Sequence, residues 1–588
     1  MWVDTQLLRI TLALIAAAFA SKTSAQDFAI EHVSVLTMDS AQMLRDQTVL
    51  ISGGKVTNVD GSARVRIPEG FRSISGRGKY LLPGLADMHV HLQSPIDLTE
   101  FLINGVTTAF DLNGKSGYLQ WRTQIKTGKI LGPQLFLSGP YFRDPEPVGE
   151  AMQRVDEIAA AGYDAIKIKN NVTREEFDAI VEEAKKKNLL ILGHTPRLPG
   201  LRHALESGLN LAHEEELLYG AFSPDGIYGN VEHGPDKVKE VVEEVRSSNT
   251  FLIPNLVMYD AIYRQASDFE NFAKQPEFAY LSPWQRDRFF FQNPYKNRPT
   301  EDQEEFRENL SFMKSVLTLE LQKAGVKLLA GTDAEGLGTM AGFSLVDELE
   351  ELHQSGLTTY EALQTATAYP ALFVHQETAF GKVGKGFRAD LILVDANPLK
   401  NLSNLRRLSG IFVNGKWLPE NELARMKQSL AARFEEQLAT GLRLLAAGGA
   451  EETERFLEFN DPYERMGSYL LQSVLEHDGL SQLAALVEKV RATNPSSSLT
   501  SEAAINTLGY ALLGKKQVDR AIQVFIWNAK AFPSSANAQD SLADAYIAKK
   551  DIPSAMDAYK KALEINPTYE NAKVARRYLT EHREFPEK

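Results

Sequence analysis

Two histidines, His89 and His91, stand two residues apart in the stretch Leu81 to Leu92, LLPGLADMHVHL. Side chains of a strand alternate between its faces, so this spacing aims both imidazoles the same way from a strand end, where two neutral nitrogens can grip one metal ion. An isolated His-x-His is a short motif. Here Asp87 precedes the pair, the Pro83-Gly84 break introduces it, and later apolar runs end on residues of matching chemistry. Those runs finish near Lys167 (YDAIKIK), His194 (LLILGHTP), His213 (LNLAHEEE) and Asp333 (VKLLAGTDAEG). Four imidazoles and a carboxylate suit Zn²⁺, and Mn²⁺, Co²⁺ or Fe²⁺ accept the same nitrogen and oxygen donors. His32, His203, His233, His353, His375, His477 and His582 have no such setting and read as structural or surface residues. The chain has no cysteine and no GxSxG elbow, so covalent catalysis by those routes has no support.

Residues this far apart need a frame that brings them together. Strand-like runs end near His91, Asp111, Ser138, Lys167, His194, His213, Asn255 and Asp333, with helical patterns between most of them, for example 150–161, 174–187 and 201–207. Eight β-then-α units predict an α/β fold, a (β/α)8 TIM-like barrel over 81–375, whose active site lies at the C-terminal ends of its strands. The connection from about 258 to 312 is long, helical and rich in aromatics; it is a candidate lid or an outer helical layer. Alternating β pieces at 26–80 and again at 376–420 predict a small β-sandwich domain split around the barrel. A linking helix is expected over 421–449.

The last segment, 450–588, repeats at 34 residues: Leu508 maps onto Leu542, Ala521 onto Ala555, Phe525 onto Tyr559 and Pro533 onto Pro567. These offsets resemble tetratricopeptide repeats, helix pairs that stack to hide their apolar faces and commonly bind a protein partner or a second copy.

Composition bounds the rest. With 588 residues and 43% hydrophobic content the chain can bury more than one core. A formal charge of −13 argues against a nucleic-acid or anionic-membrane partner. Residues 1–25 carry Arg9, an apolar run LALIAAAFA through Ala20 and a small-residue end, Thr23-Ser24-Ala25. This predicts a secretory signal cleaved before Gln26, hence a periplasmic or secreted protein with no membrane attachment after cleavage; an uncleaved anchor is the other reading.

The ordered set PGLADMHVHL, GVTTAFD, GYDAIKIK, GHTP, the His213 strand, AGTDAEG and GKGFRADLILVDANPL resembles the amidohydrolase superfamily over roughly 27 to 420. Within it the chain is most similar to the imidazolonepropionase-like branch that includes metal-dependent prolidases and related dipeptidases. The resemblance implies two divalent ions. His89, His91 and Asp333 would hold the first, His194 and His213 the second, and Lys167 would bridge them as a carbamate formed with CO₂. An ammonium aimed at two cations would be repelled, whereas a carboxylated lysine is an anion. Lys169 shares that strand face, and the choice of Lys167 rests on matching the IKI triplet. The two ions lower the pKa of a shared water and polarise the substrate carbonyl, with Asp333 as proton shuttle.

The implied substrate is a small-molecule amide, a dipeptide or an N-acyl amino acid. Arg143, Tyr141, Tyr219, Tyr228 and Tyr259 are candidates to meet its carboxylate, although each reads first as a packing or surface residue. A mononuclear deaminase or cyclic-amide or lactone hydrolase of the same superfamily is the alternative within enzymes, and Lys167 argues against it. A non-catalytic binding protein, with the helical tail as working surface and a degenerate barrel as scaffold, is the alternative outside them.

Overall fold

The computed structural model describes residues 26–582 apart from 224–233, 292, 297, 335–337, 447–449, 461–464, 496 and 570. The expected leader, His233 and Tyr228 lie outside the described residues.

The N-terminal alternating runs form β1 (Phe28–Leu36), β2 (Met43–Ser52), β3 (Lys55–Gly61), β4 (Arg72–Ser75) and β5 (Tyr80–Pro83). The next eight strands are β6 (Leu85–Val90), β7 (Val106–Asp111), β8 (Gln134–Leu137), β9 (Ala165–Ile168), β10 (Leu190–Gly193), β11 (Asn210–Ala212), β12 (Phe251–Ile253) and β13 (Lys327–Leu328). The chain then returns through β14 (Leu391–Val394), β15 (Leu408–Val413) and β16 (Lys416–Pro419).

The first and last groups join across β5 and β14, which pair antiparallel with Leu81 opposite Leu393. What their hydrogen bonding defines is one eight-stranded sheet, in the order β16-β15-β14-β5-β1-β2-β3 with β4 against β1. Val33, Val35, Leu391, Leu393 and Phe412 are buried in its core. The chain leaves this sheet at Gly84, where a Cβ would lie 2.1 Å from Thr107 Oγ1, so a side chain there would collide with β7's neighbourhood.

β6 and β7 are buried at every position, as parallel strands covered on both faces must be. The expected single barrel divides, by hydrogen bonding, into a three-stranded parallel sheet β6-β7-β8 and a five-stranded one, β13-β12-β11-β10-β9. Isolated parallel bridges link the edges: Ser138 to Ala165 and Phe142 to Ile168 on one side, Val90 to Ala334 on the other. β13 is only two residues long: Leu329 N still donates to Leu252 O of β12 at 2.8 Å, but from Ala330 onward the chain bonds outside this ladder. Ala330 N donates to Thr365 O at 2.9 Å and Met88 N to Ala330 O at 2.9 Å. Between strands the helices are amphipathic. Arg174–Lys186 starts on a capping box, Thr173 with Glu176, and buries Phe177, Ile180, Val181 and Ala184.

The aromatic connection forms helices Leu256–Phe272, Pro283–Phe291 and Thr300–Phe312 with a 3₁₀ turn at Pro276–Tyr280. Its rings pack on one another, with Phe278 4.7 Å from Phe289 and 5.4 Å from Phe272 between centroids. A helix at Glu420–Ala446 follows β16, and the remaining described chain is helical, including the pairs Glu502–Gly514 with Val518–Ala531 and Ala536–Lys549 with Ile552–Ile565. Of the residues related by the repeat, Leu508, Leu542, Ala521, Ala555, Phe525 and Tyr559 are buried, whereas Pro533 and Pro567 are exposed.

Candidate metal centre

Each of the six singled-out residues stands in or just beyond a parallel strand. His89 is the penultimate residue of β6 and His91 follows its end; Lys167 lies inside β9; His194 and His213 come directly after β10 and β11; Asp333 lies five residues past β13. Two of them adopt left-handed backbone, His213 with φ 82° and Asp333 with φ 54°, as does Asn255 with φ 55°. Such conformations are uncommon outside glycine and turn a side chain away from the direction its strand would give it. At β10 the glycine before His194 is required. A Cβ on Gly193 would meet Ile168 O at 2.1 Å, so only a bare Cα lets β10 lie this close to the strand carrying Lys167.

The side chains converge. Asp333 Oδ1 is 2.9 Å from His91 Nε2 and 3.2 Å from His89 Nε2. Lys167 Nζ is 3.4 Å from His89 Nε2. The rings of His89 and His213 are 4.7 Å apart between centroids, and those of His213 and His194 4.8 Å. His89, His91 and Asp333 offer three donor atoms within 4.8 Å of one another. Lys169, also facing the centre, has its Nζ 2.8 Å from His194 Nε2.

A surrounding set of polar groups was not read from the sequence. Asn255 Oδ1 lies 3.0 Å from His89 Nδ1 and Glu216 Oε1 2.5 Å from His194 Nδ1. Occupying Nδ1 in this way fixes each ring and leaves Nε2 turned to the centre. Glu216 also accepts from Thr195 N at 3.0 Å. Asp87 ties β6 to the segment bearing Asp333, accepting from Thr332 N at 3.1 Å and Thr332 Oγ1 at 2.7 Å. The available signals were faint: Asn255 closes the apolar run FLIPNLV, and Glu216 lies three residues after His213 in HEEEL.

Burial, reinforced by the cationic and imidazole neighbours, holds His89, His194 and His213 well below the usual histidine range, so they are neutral bases. Burial alone would raise Asp333, but the charge and hydrogen bond of His91 hold the carboxyl well below the usual range. Burial first, then repulsion from Lys169, brings Lys167 down to about 7. Neutral imidazole nitrogens around an ionised carboxylate are a donor set for a divalent cation. His213 Nδ1, buried and without a hydrogen-bond partner among the described residues, fits the same use.

A parallel α/β core whose strand ends bring these donor atoms together defines a class of α/β protein with a group that could hold a metal ion. More specifically, the chain belongs to the amidohydrolase family, whose profile matches residues 80–418. Locally it is similar to adenine deaminase 2 of Bradyrhizobium sp. (strain ORS 278), 35% identical over 97 residues, or 16% of each chain. It is also similar to the adenine deaminase of Cenarchaeum symbiosum (strain A), 26% identical over 128 residues, 20% of this chain and 21% of that protein. These matches span about a fifth or less of the curated relatives. Solved structures share the fold more widely. Bottromycin amidohydrolase superposes with a TM-score of 0.57 at 21% identity, over 70% of this chain and 91% of that one. A Xaa-Pro dipeptidase with bound methionine gives 0.52 at 19%, over 67% and 100%. The ochratoxinase of A. niger gives 0.51 at 19%, over 67% and 96%.

Proposed function

We propose that this chain is a binuclear metal-dependent hydrolase that cleaves an amide bond in dipeptides or N-acyl amino acids, in the manner of a prolidase. The observation that carries the reading is the convergence of four imidazoles, a buried lysine and an ionised carboxylate, with Asp333 Oδ1 2.9 Å from His91 Nε2. In this reading the two parallel sheets act as one closed barrel of residues 81–375, flanked by the split β domain of 26–80 and 376–420.

His89, His91 and Asp333 would hold one ion, His194 and His213 the other, with Zn²⁺ the first choice. Lys167 would bridge them after its neutral amine adds to CO₂, forming an N–C bond and releasing one proton. Full burial and a pKa near 7 favour the neutral amine that this addition needs. When bound, the ions supply Lewis-acid polarisation of the carbonyl and lower the pKa of a water. Asp333 would accept a proton from the attacking water on its carboxylate and return it to the leaving nitrogen, while Asn255 and Glu216 would keep His89 and His194 aimed at the centre. Residues 1–25 would direct the chain to the periplasm or outside the cell, and the 450–588 tail would stack as tetratricopeptide-like pairs that bind a protein partner or a second copy.

Metal analysis of the purified chain, followed by a screen of dipeptides and N-acyl amino acids with the zinc-loaded protein, tests the reading. Two equivalents of metal and release of free amino acid are expected; no metal binding overturns it. The local likeness to adenine deaminases, and the tight His89–His91–Asp333 group, favour a second reading: a mononuclear deaminase. One equivalent of metal, with ammonia released from an aminopurine, would select it.

A further inference from the structure

The parallel bridge between Phe142 and Ile168 sets a register with a consequence for what the site holds. Phe142 N donates to Lys167 O at 2.9 Å and Lys169 N to Phe142 O at 2.8 Å, so residues 141–143 run as a strand beside 167–169. Alternation puts the fully buried Phe142 and Ile168 on one face. Tyr141, Arg143, Lys167 and Lys169 share the other, which is the face of the candidate metal centre.

On that face two cations flank one ring. Lys169 Nζ is 5.1 Å from the centroid of Tyr141 and Arg143 Cζ is 5.4 Å from it. Neither makes an ion pair with a carboxylate among the described residues. Lys169 instead directs its Nζ to His194 Nε2, 2.8 Å away. That nitrogen is the one the proposed second ion would use, since Glu216 occupies His194 Nδ1. A metal and an ammonium cannot share a lone pair, so loading the centre turns Lys169 loose beside Arg143. Two adjacent cations with no carboxylate in ion-pair contact among the described residues, next to a hydrolytic centre, complement an anionic group on the substrate.

We propose that Lys169 and Arg143, carried on the Tyr141 ring, form a subsite for a free carboxylate adjacent to the scissile amide. The subsite rests on the hydrolase reading and narrows it. Substrates are amides of amino acids with an unblocked carboxylate, and internal peptide bonds, neutral amides and purines are poor fits. Lys169 is a specificity-determining residue here, distinct from Lys167, whose amine faces His89.

The test compares N-acetyl-L-alanine with its uncharged N-methylamide by calorimetry, with and without two equivalents of zinc, in the full-length wild type and in Lys169→Met, Lys169→Arg and Arg143→Met. Wild type should bind the carboxylate about 10- to 100-fold more tightly than the methylamide, the range for a charge-assisted hydrogen bond. Lys169→Met should remove most of that preference, Lys169→Arg should restore part of it, Arg143→Met should weaken it, and zinc content should be unchanged in all three. Equal binding of the two probes by wild type, or an undiminished preference in Lys169→Met, overturns the subsite. So does loss of zinc from Lys169→Met, which would move Lys169 into the metal shell. Amide hydrolysis indifferent to the carboxylate leaves the hydrolase reading intact and sinks the subsite. A Lys169-dependent preference in a protein that hydrolyses nothing does the reverse.

Discussion

Asp333 is where ligand and proton acceptor would coincide, because its carboxyl is held ionised although it is buried among imidazoles. Asp333→Asn keeps the shape and one oxygen but cannot accept a proton. We predict that metal content falls little while kcat drops by about 10²- to 10⁴-fold, the usual contribution of general acid–base catalysis; unimpaired turnover in a metal-loaded variant would remove Asp333 from proton transfer. The residues behind the ligands give a second prediction. Asn255 combines a left-handed φ of 55° with the hydrogen bond to His89 Nδ1. Both substitutions remove the buried side chain and its hydrogen bond; Asn255→Gly accepts the left-handed backbone, whereas Asn255→Ala also strains it. Both variants, and Glu216→Gln at His194, should lose about 10- to 100-fold in metal affinity, with Asn255→Ala alone also losing thermal stability. Competition with a chelator and a melting curve separate the two effects; an Asn255→Ala variant as stable as Asn255→Gly would show that the strain is absorbed.

Strand spacing matters as much as the ligands strands carry. A Cβ on Gly193 would fall 2.1 Å from Ile168 O and 2.7 Å from Ile168 N, both backbone atoms that cannot swing aside. Gly193→Ala must therefore part β9 from β10, at a cost of roughly 1–3 kcal/mol, as for other overpacked sites. It should weaken metal binding as well, because Lys167 and His194 sit on those two strands. Denaturant unfolding of the metal-free protein reads the first effect and titration with zinc the second. The turn after β6 has its own signature in pH. Asp97, 2% exposed, is raised by burial to about 6 despite accepting from Gln93 N and Ser94 N. Its folded pKa lies above the ordinary carboxyl value, so the stability it lends is complete below about pH 4 and is lost as pH climbs through 6. That loss is on the order of 2–3 kcal/mol at 1.4 kcal/mol per unit, and Asp97→Asn should make the wild-type decline between pH 4 and 6 shallower in metal-free buffer, the remainder coming from Asp87 and Asp111, which burial also raises. At this scale the sequence was readable wherever chemistry followed period. Apolar runs ending in His, Lys or Asp located the strands of His89, Lys167, His194 and His213. It was unreadable where chemistry followed a turn. Asn255 and Glu216 acquire their roles through a left-handed residue and a first helical turn, and β13 shrinks to two residues because its continuation bonds to Met88 and Thr365. Lys169's place opposite Arg143 depends on a register between strands that no local pattern reports.

Over the whole molecule, the helical tail is joined to the catalytic region by specific contacts. Trp121, fully buried in helix Ser116–Lys126, donates from Nε1 to Phe459 O at 2.9 Å, and its ring lies 6.3 Å from that of Phe459 and 4.8 Å from Tyr118. Arg433 of the linking helix reaches Thr99 Oγ1, and Gln437 Nε2 donates to Asn460 Oδ1 at 3.0 Å. We predict that a ring of this size, buried where two helical regions meet, couples their unfolding into one event. Trp121→Ala leaves a cavity and an unpaired Phe459 carbonyl, for a loss of about 3–5 kcal/mol, whereas Trp121→Phe keeps much of the apolar contact and forfeits mainly the hydrogen bond, about 1 kcal/mol. If the tail is coupled to the catalytic region through this contact, calorimetry should show the wild-type melt splitting into two transitions in Trp121→Ala and staying together in Trp121→Phe. Limited proteolysis should then cut Trp121→Ala first around residues 456–460, the segment that the ring no longer holds. A Trp121→Ala protein that melts in one transition at a lower temperature would instead mean that the ring stabilises only its own helix, and that the tail is held by the Arg433 and Gln437 contacts.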